Sequence, residues 1–348
     1  MILLFSAAFL LAALILQRRF LSRVPEWIVT DHMPSVNLAE PGTEFNLVLS
    51  AENRSRWYIP YLRLTEDFCT NMEPKTKEHT GKTYSGLYQA SFSAWLKPFQ
   101  EIQFRVPVSV SSRGRYLLNE LVLKTGDFFG FDETVTRRGY FREIIIVPEE
   151  ASENALPEVF GGFIGDVSVR RFLYEDPVIS TGYREYTGRE PMKAIDWKQT
   201  ARNHEIMVRQ YDHTAQPAVS VILSIESFCS EKVFEQTLSV CRTVCRKLEE
   251  KRIRYILSAN AAVSGTMSAP LEEGLGPGHF NAVLEYLGRA VFLKTVPASR
   301  LLQEKLEENR ELSGVIVITP GNELDASKEL ALLRQRGSVC LIRAGETL

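Results

Sequence analysis

The sequence predicts an α+β multidomain chain: an N-terminal transmembrane helix, an antiparallel β-sandwich of the Ig-like kind, and an α/β domain with helices on the faces of its sheet. Three observations carry this. Residues Ile2 to Leu16 are apolar apart from Ser6 and hold no charge. Short β-rich runs recur between turn residues from Trp27 to about Pro148, and from about Pro217 apolar strands alternate with helical periods. The implied boundaries are 1–23 for the anchor and its basic flank, 24–150 for the sandwich, 151–216 for a joining segment and 217–348 for the α/β domain. With 348 residues, 45% hydrophobic and 24% charged, the chain can build two cores, and disorder is excluded as its dominant state.

The first run reads as a membrane helix that stops at Gln17-Arg18-Arg19. With Met1 it reaches about 24 Å at roughly 1.5 Å per residue, less than the roughly 30 Å hydrocarbon core. Spanning therefore calls for bilayer thinning, snorkelling flanks or further residues upstream. A signal peptide is the competing reading, but its positive charge precedes the apolar core, whereas Arg18, Arg19 and Arg23 follow it here. The positive-inside rule then predicts a single-pass cell-membrane protein held through residues 1–16, with its soluble domains cytoplasmic. Five cysteines without a C-x-x-C pair agree with a reducing compartment.

In the second region the strand candidates are Phe45 to Ala51, Tyr58 to Leu64, Tyr84 to Trp95, Glu101 to Val110, Leu121 to Lys124 and Ile144 to Val147. Phe104, Val106, Val108 and Val110 alternate, which puts one face on a core and leaves the other wet. In the last region the strands are Val219 to Ile225, Tyr255 to Ala259, Val315 to Ile318 and Val339 to Ile342. Between the first two, Phe234, Leu238, Cys241, Cys245 and Leu248 follow one another at helical spacing, which makes both cysteines core residues and not metal ligands. Ala261 to Gly278 reads as a surface loop. Its Gly274-Leu-Gly276-Pro-Gly278 is no phosphate cradle, because Pro277 removes a donor and no Lys-Ser/Thr follows.

The joining segment holds the most unusual residues. Between Gly182 and Arg209, six cations and four anions interleave with aromatics. That density pairs ions, and the formal net charge of −2 for the whole chain excludes a nucleic-acid footprint. Pro191 is expected to open a short helix through about Arg202, with Glu190 and Asp196 near its positive end. One reading is a structural hairpin and helix that joins two domains by salt bridges. The other is an interface in which Trp197 and Tyr186 anchor a partner while Arg184 and Arg202 make bidentate contacts. Both can hold at once.

These residues, Gly182-Tyr-Arg184-Glu185-Tyr186 and Ile195-Asp196-Trp197-Lys-Gln-Thr200-Ala201-Arg202, resemble the signature of the bacterial family called domain of unknown function 58. Arg113-Gly114-Arg115-Tyr116 and Asp127-Phe-Phe-Gly130-Phe131 are similar to two further runs of that family, with Phe128 in place of a Pro. The resemblance implies a membrane-anchored protein with a β-sandwich and a von Willebrand A-like (Rossmann-like) α/β domain. It implies a chaperone-like or assembly role beside a MoxR-type AAA+ ATPase, with no catalytic residue to carry over. Expected partners are thus a protein, with that ATPase as the candidate, and the membrane, but no nucleic acid.

A von Willebrand A domain that holds Mg²⁺ uses hard oxygen ligands from three loops. Here Glu226-Ser-Phe228-Cys-Ser230 keeps an acid and one Ser but has Phe228 at the middle hydroxyl, and Thr319 is followed by Pro320 where a carboxylate belongs. The expectation is no metal and no cofactor, with Glu226, Ser230 and Thr319 as degenerate candidates and Ser230 serving as a helix cap. None of the five histidines has a zinc spacing, and no G-x-S-x-G elbow occurs. The alternative is a degenerate metal- or thiol-dependent enzyme or ligand receptor, in which Cys229 at a helix N-terminus would pair with His279.

Overall fold

The structure is a computed structural model that describes residues 2–75, 80–83, 86–127, 132–152, 156–173, 180–188, 192, 195–203, 205–211, 218–225, 229–269, 271–307, 314–322, 324–325 and 327–346. The chain is mixed α/β with several sheets and divides into two compact units, Met1–Glu149 and Glu150–Leu348.

The first unit begins with α1 (Ile2–Trp27), a helix that runs through Arg18, Arg19 and Arg23 without a break. Its last turns enter the core of the unit, where Leu21 and Val24 are buried, while Phe5, Phe9, Leu11, Ile15 and Leu16 are exposed. This corrects the expected transmembrane helix: among the described residues no helix is long and apolar enough to cross a membrane. The physical reason is the one its length foreshadowed. The apolar run is only part of a helix whose remainder carries three arginines and Glu26 and packs on protein, so it lacks the roughly 20 apolar residues a span needs. The single-pass anchoring, the cell-membrane localisation and the orientation drawn from Arg18, Arg19 and Arg23 fall with it.

Ten strands follow: β1 (Ile28–Pro34), β2 (Leu38–Ala39), β3 (Glu44–Asn53), β4 (Ile59–Asp67), β5 (Met72–Pro74), β6 (Thr80–Lys82), β7 (Tyr88–Leu96), β8 (Glu101–Val110), β9 (Gly114–Gly126) and β10 (Glu133–Ile146). They form a sheet of order β1-β3-β8-β5 and another of order β2-β10-β9-β4-β7-β6. All pairs are antiparallel except β2 with β10. Alternate residues of each sheet, such as Leu47 and Leu49 of β3 and Leu62 and Leu64 of β4, meet in one shared core, as a period of two requires. Inside that core His32 of β1 and Glu66 of β4 join the two sheets, Nδ1 to Oε2 at 2.9 Å.

The second unit contains α2 (Glu158–Leu173), β11 (Ser180–Glu185), α3 (Trp197–Asn203), β12 (Met207–Tyr211), β13 (Val219–Leu223), α4 (Glu231–Glu250), β14 (Tyr255–Ala259), β15 (Ala261–Val263), α5 (Pro277–Arg289), β16 (Ala290–Lys294), α6 (Ala298–Glu307), β17 (Gly314–Thr319), α7 (Lys328–Arg336) and β18 (Val339–Arg343). Its main sheet is parallel, in the order β14-β13-β17-β18. β13 and β17 are buried along their whole length because both faces are covered. Val221, Leu223, Ile316 and Ile318 point into a core with α2, α4 and α5, whereas Ile222, Val315 and Val317 point into one with α6 and α7. Cys241 and Cys245 lie fully buried on the inner stripe of α4, and all five cysteines are free thiols.

The stretch read as a surface loop contains structure of its own. Ala261–Val263 is a strand paired with β16. Beyond it, the buried carboxylate of Glu285 accepts hydrogen bonds from the Ser268 amide (3.0 Å), the Ser268 hydroxyl (3.1 Å) and Arg289 (2.8 Å). Gly276, at φ +103°, turns the chain into α5 with Pro277 in its first turn.

Candidate functional site

The signature residues fold into a small module built from three backbone segments. β11 pairs antiparallel with β12, with Glu185 facing Met207 and Arg184 facing Val208. On the other side of β12, Ile195 bridges to Val208, and the Asp196 amide donates to the Met207 carbonyl at 2.9 Å. The Tyr186 amide closes the hairpin on the Ile206 carbonyl at 2.8 Å.

Asp196 sets where the helix begins. Its Oδ1 accepts the amides of Lys198 (3.0 Å) and Gln199 (3.1 Å), which is the work of an N-cap, so α3 starts at Trp197. The expected start at Pro191 lies outside the described residues; at Ile195 and Asp196 the bridge to β12 and the cap interrupt any helix, so α3 itself starts at Trp197. Thr200, part of the signature but given no role there, closes the module. Its hydroxyl donates to the Asp196 carbonyl at 2.8 Å and accepts the Met207 amide at 3.0 Å. The one available signal is its place directly after the Asp-Trp-Lys-Gln run, four residues beyond Asp196.

Burial separates framework from surface. Ile195 and Asp196 are buried, and Tyr186 and Gly182 are half-buried. Trp197 is 62% exposed, and Met192, Ile206 and Tyr183 are exposed with it. Arg184, Glu185, Ala201 and Arg202 are also exposed. The Glu205 carboxyl hydrogen-bonds to Glu185, and that bond together with the like charge holds it above the usual carboxylate range. Asp196, Met207 and Glu185 lie abreast, so two strand spacings, about 10 Å, separate the backbone at the tryptophan from that at the carboxylate pair. No described residue here is an activated nucleophile. What the module offers is an aromatic side chain, cations and carboxylates on a fixed frame.

The degenerate metal candidates fall elsewhere, at the carboxyl ends of β13 and β17. These neighbours are not consecutive in the chain, and the strand order reverses between them. Ser230 caps α4 by accepting the Val233 amide at 3.3 Å. Thr319 is fully buried, and Glu226 lies outside the described residues. Asn260, which belongs to no sequence motif, holds this end of β13. It accepts the Ile225 amide at 2.7 Å and donates to the Ile225 carbonyl at 3.1 Å. Among the described residues no group of three His, Cys, Asp or Glu side chains could hold a metal.

The thiol and the histidine of the alternative reading do not meet. Cys229 precedes the first turn of α4, whereas His279 rests on Tyr255 with ring centroids 4.6 Å apart, next to Glu249 at the last turn. Twenty residues of helix separate these ends by about 30 Å. Burial lowers the His279 pKa, against the pull of Glu249.

The chain matches no protein-family model. It matches no curated protein either. Solved structures similar to part of it include a cohesin module from a family 33 glycoside hydrolase of Clostridium perfringens, at 10% identity over 33% of this chain and 96% of that one, with a TM-score of 0.25. Another is AvmM, which catalyses macrocyclization in alchivemycin A biosynthesis, at 10% identity over 36% and 92%, with a TM-score of 0.22. Neither likeness is close enough to bear on function.

Proposed function

We propose that the protein is a non-catalytic interaction or assembly protein that captures a protein partner through the Gly182–Ile206 module. The observation that supports this is Trp197. A large aromatic side chain is 62% exposed immediately after a buried, hydrogen-bonded Asp196, on a module whose described strands and helix are tied together by backbone hydrogen bonds. Rigidly presented aromatics ringed by polar groups are the residues that carry binding energy at protein interfaces. The candidate partner is a MoxR-type AAA+ ATPase, which rests on the resemblance of the Gly182–Arg202 signature to domain of unknown function 58.

The test is a binding titration with a purified MoxR-type ATPase. Trp197→Ala should weaken capture by about 30-fold or more, the loss of roughly 2 kcal/mol expected of a hot-spot residue, while thermal unfolding stays unchanged. Cys229→Ser should bind as wild type does. If Cys229→Ser abolished capture and Trp197→Ala left it intact, the reading would be rejected.

A further inference from the structure

A groove of about 680 Å³ in the first unit runs along α1, and its volume lies in the range of small-molecule sites. Its walls are mostly apolar, with four aromatic side chains among them. Phe20 meets Trp27 edge to face at 5.3 Å and Trp57 at 6.2 Å, and Tyr58 also lines the groove. Two cations, Arg19 and Arg23, stand one helical turn apart on the α1 wall. Both are exposed, and among the described residues no carboxylate pairs with either. The carboxylate in the wall, Asp127, is buried and accepts the side-chain amide of Gln17, which leaves the accessible polar character of the groove positive.

We infer that this groove binds a single-chain amphipathic anion, an alkyl carboxylate or alkyl phosphate. The chain would lie on Phe20, Trp27 and Trp57, and the headgroup would sit between Arg19 and Arg23. Charge complementarity selects the anion: an alkylammonium would meet two guanidinium groups and one carboxylate already engaged. The concave shape selects one chain over a broad protein surface, since about 680 Å³ encloses a small molecule. The inference is independent of the partner proposed above, which engages the other unit.

Trp27 and Trp57 report on the groove directly. Intact protein is titrated with dodecanoate below its micelle threshold, with dodecyltrimethylammonium as the charge-reversed probe, and tryptophan emission is followed. Saturable one-site binding is expected, at least tenfold tighter for dodecanoate. Arg19→Gln together with Arg23→Gln should remove that preference, and Trp57→Ala should weaken both probes. Phe141→Ala, an exposed aromatic elsewhere on the unit, should change nothing. Equal affinity for the two headgroups, a response that does not saturate, or indifference to the arginine substitutions would overturn the inference. So would a response confined to anionic phospholipid vesicles, which would assign the cations to a bilayer surface.

Discussion

His32 and Glu66 are an ionisable pair set inside an apolar sandwich, 0% and 1% exposed, and each leaves one polar atom, Nε2 and Oε1, without a hydrogen bond among the described residues. Burial raises the Glu66 pKa above its usual 4.5, and the hydrogen bond from His32 only partly opposes this. A carboxyl raised in the folded state takes up a proton on folding. Its stabilisation is therefore complete below pH 4.5 and is lost as pH rises through the folded value. Glu66→Gln lacks that group, so the stability difference should move toward the variant as pH rises across the window, measured by urea unfolding at stepped pH. A flat difference would mean that burial does not govern this carboxyl. Asp196 makes a different prediction at the same scale. Asp196→Ala frees the amides of Lys198 and Gln199, which should cost about 1 kcal/mol and also loosen the frame that presents Trp197. Asp196→Asn retains a capping oxygen and should restore both stability and partner binding, whereas a merely exposed Asp would show no difference between the two substitutions.

α4 was the most legible element, because its buried residues repeat at 3.6-residue spacing over five positions and nothing competes with that pattern. The alternation of Val106, Val108 and Val110 was likewise readable as a buried face of β8. α2 escaped sequence reading although Phe160, Phe163, Ile164 and Val167 form a helical stripe, since Gly161, Gly162 and Gly165 dilute its propensity and tertiary packing has to supply the rest. β15 has three residues, too few for a period to show, and is specified by its partner β16. The start of α3 is ambiguous in the sequence for a local reason: a proline and an aspartate both signal helix beginnings, and only the pairing with β12 decides between them. In the candidate site the signature makes Trp197 and Asp196 legible, but their opposite environments depend on a bridge to Val208, thirteen residues along the chain from Ile195. α4 also carries a contact no periodicity reveals. The Glu150 carboxylate bonds to Arg242 at 3.1 Å and to Arg246, while Thr243 accepts the Ala151 amide at 3.0 Å, so the start of the second unit is tied to the helix. Glu150→Ala deprives the buried Arg242 guanidinium of that carboxylate and should lower the stability of the unit by about 1–3 kcal/mol in chemical denaturation. Glu149→Ala, one residue earlier and exposed, serves as the control.

At the scale of the molecule, the hydrophobic clusters respect the boundary between the units. Every buried member of the sandwich core lies between Val24 and Ile146, and every buried member of the other two clusters lies between Phe160 and Ala344. Cooperativity follows shared burial, since an all-or-none transition requires that loss of one part expose the surface that stabilises the rest. Each unit has hydrophobic clusters of its own, so the chain should unfold in two calorimetric steps, each with the enthalpy of a domain of its own size. The substitutions argued above assign the steps. Glu66→Gln should move only the transition of Met1–Glu149, in the pH-dependent sense already given, and Glu150→Ala only that of Glu150–Leu348. Dodecanoate, if it occupies the groove of the first unit, should raise the same transition that Glu66→Gln moves and leave the other in place, because a ligand stabilises only the unit whose native state binds it. A single transition that both substitutions shift together would show that the two units fold as one, and that the separation of their cores does not separate their energetics.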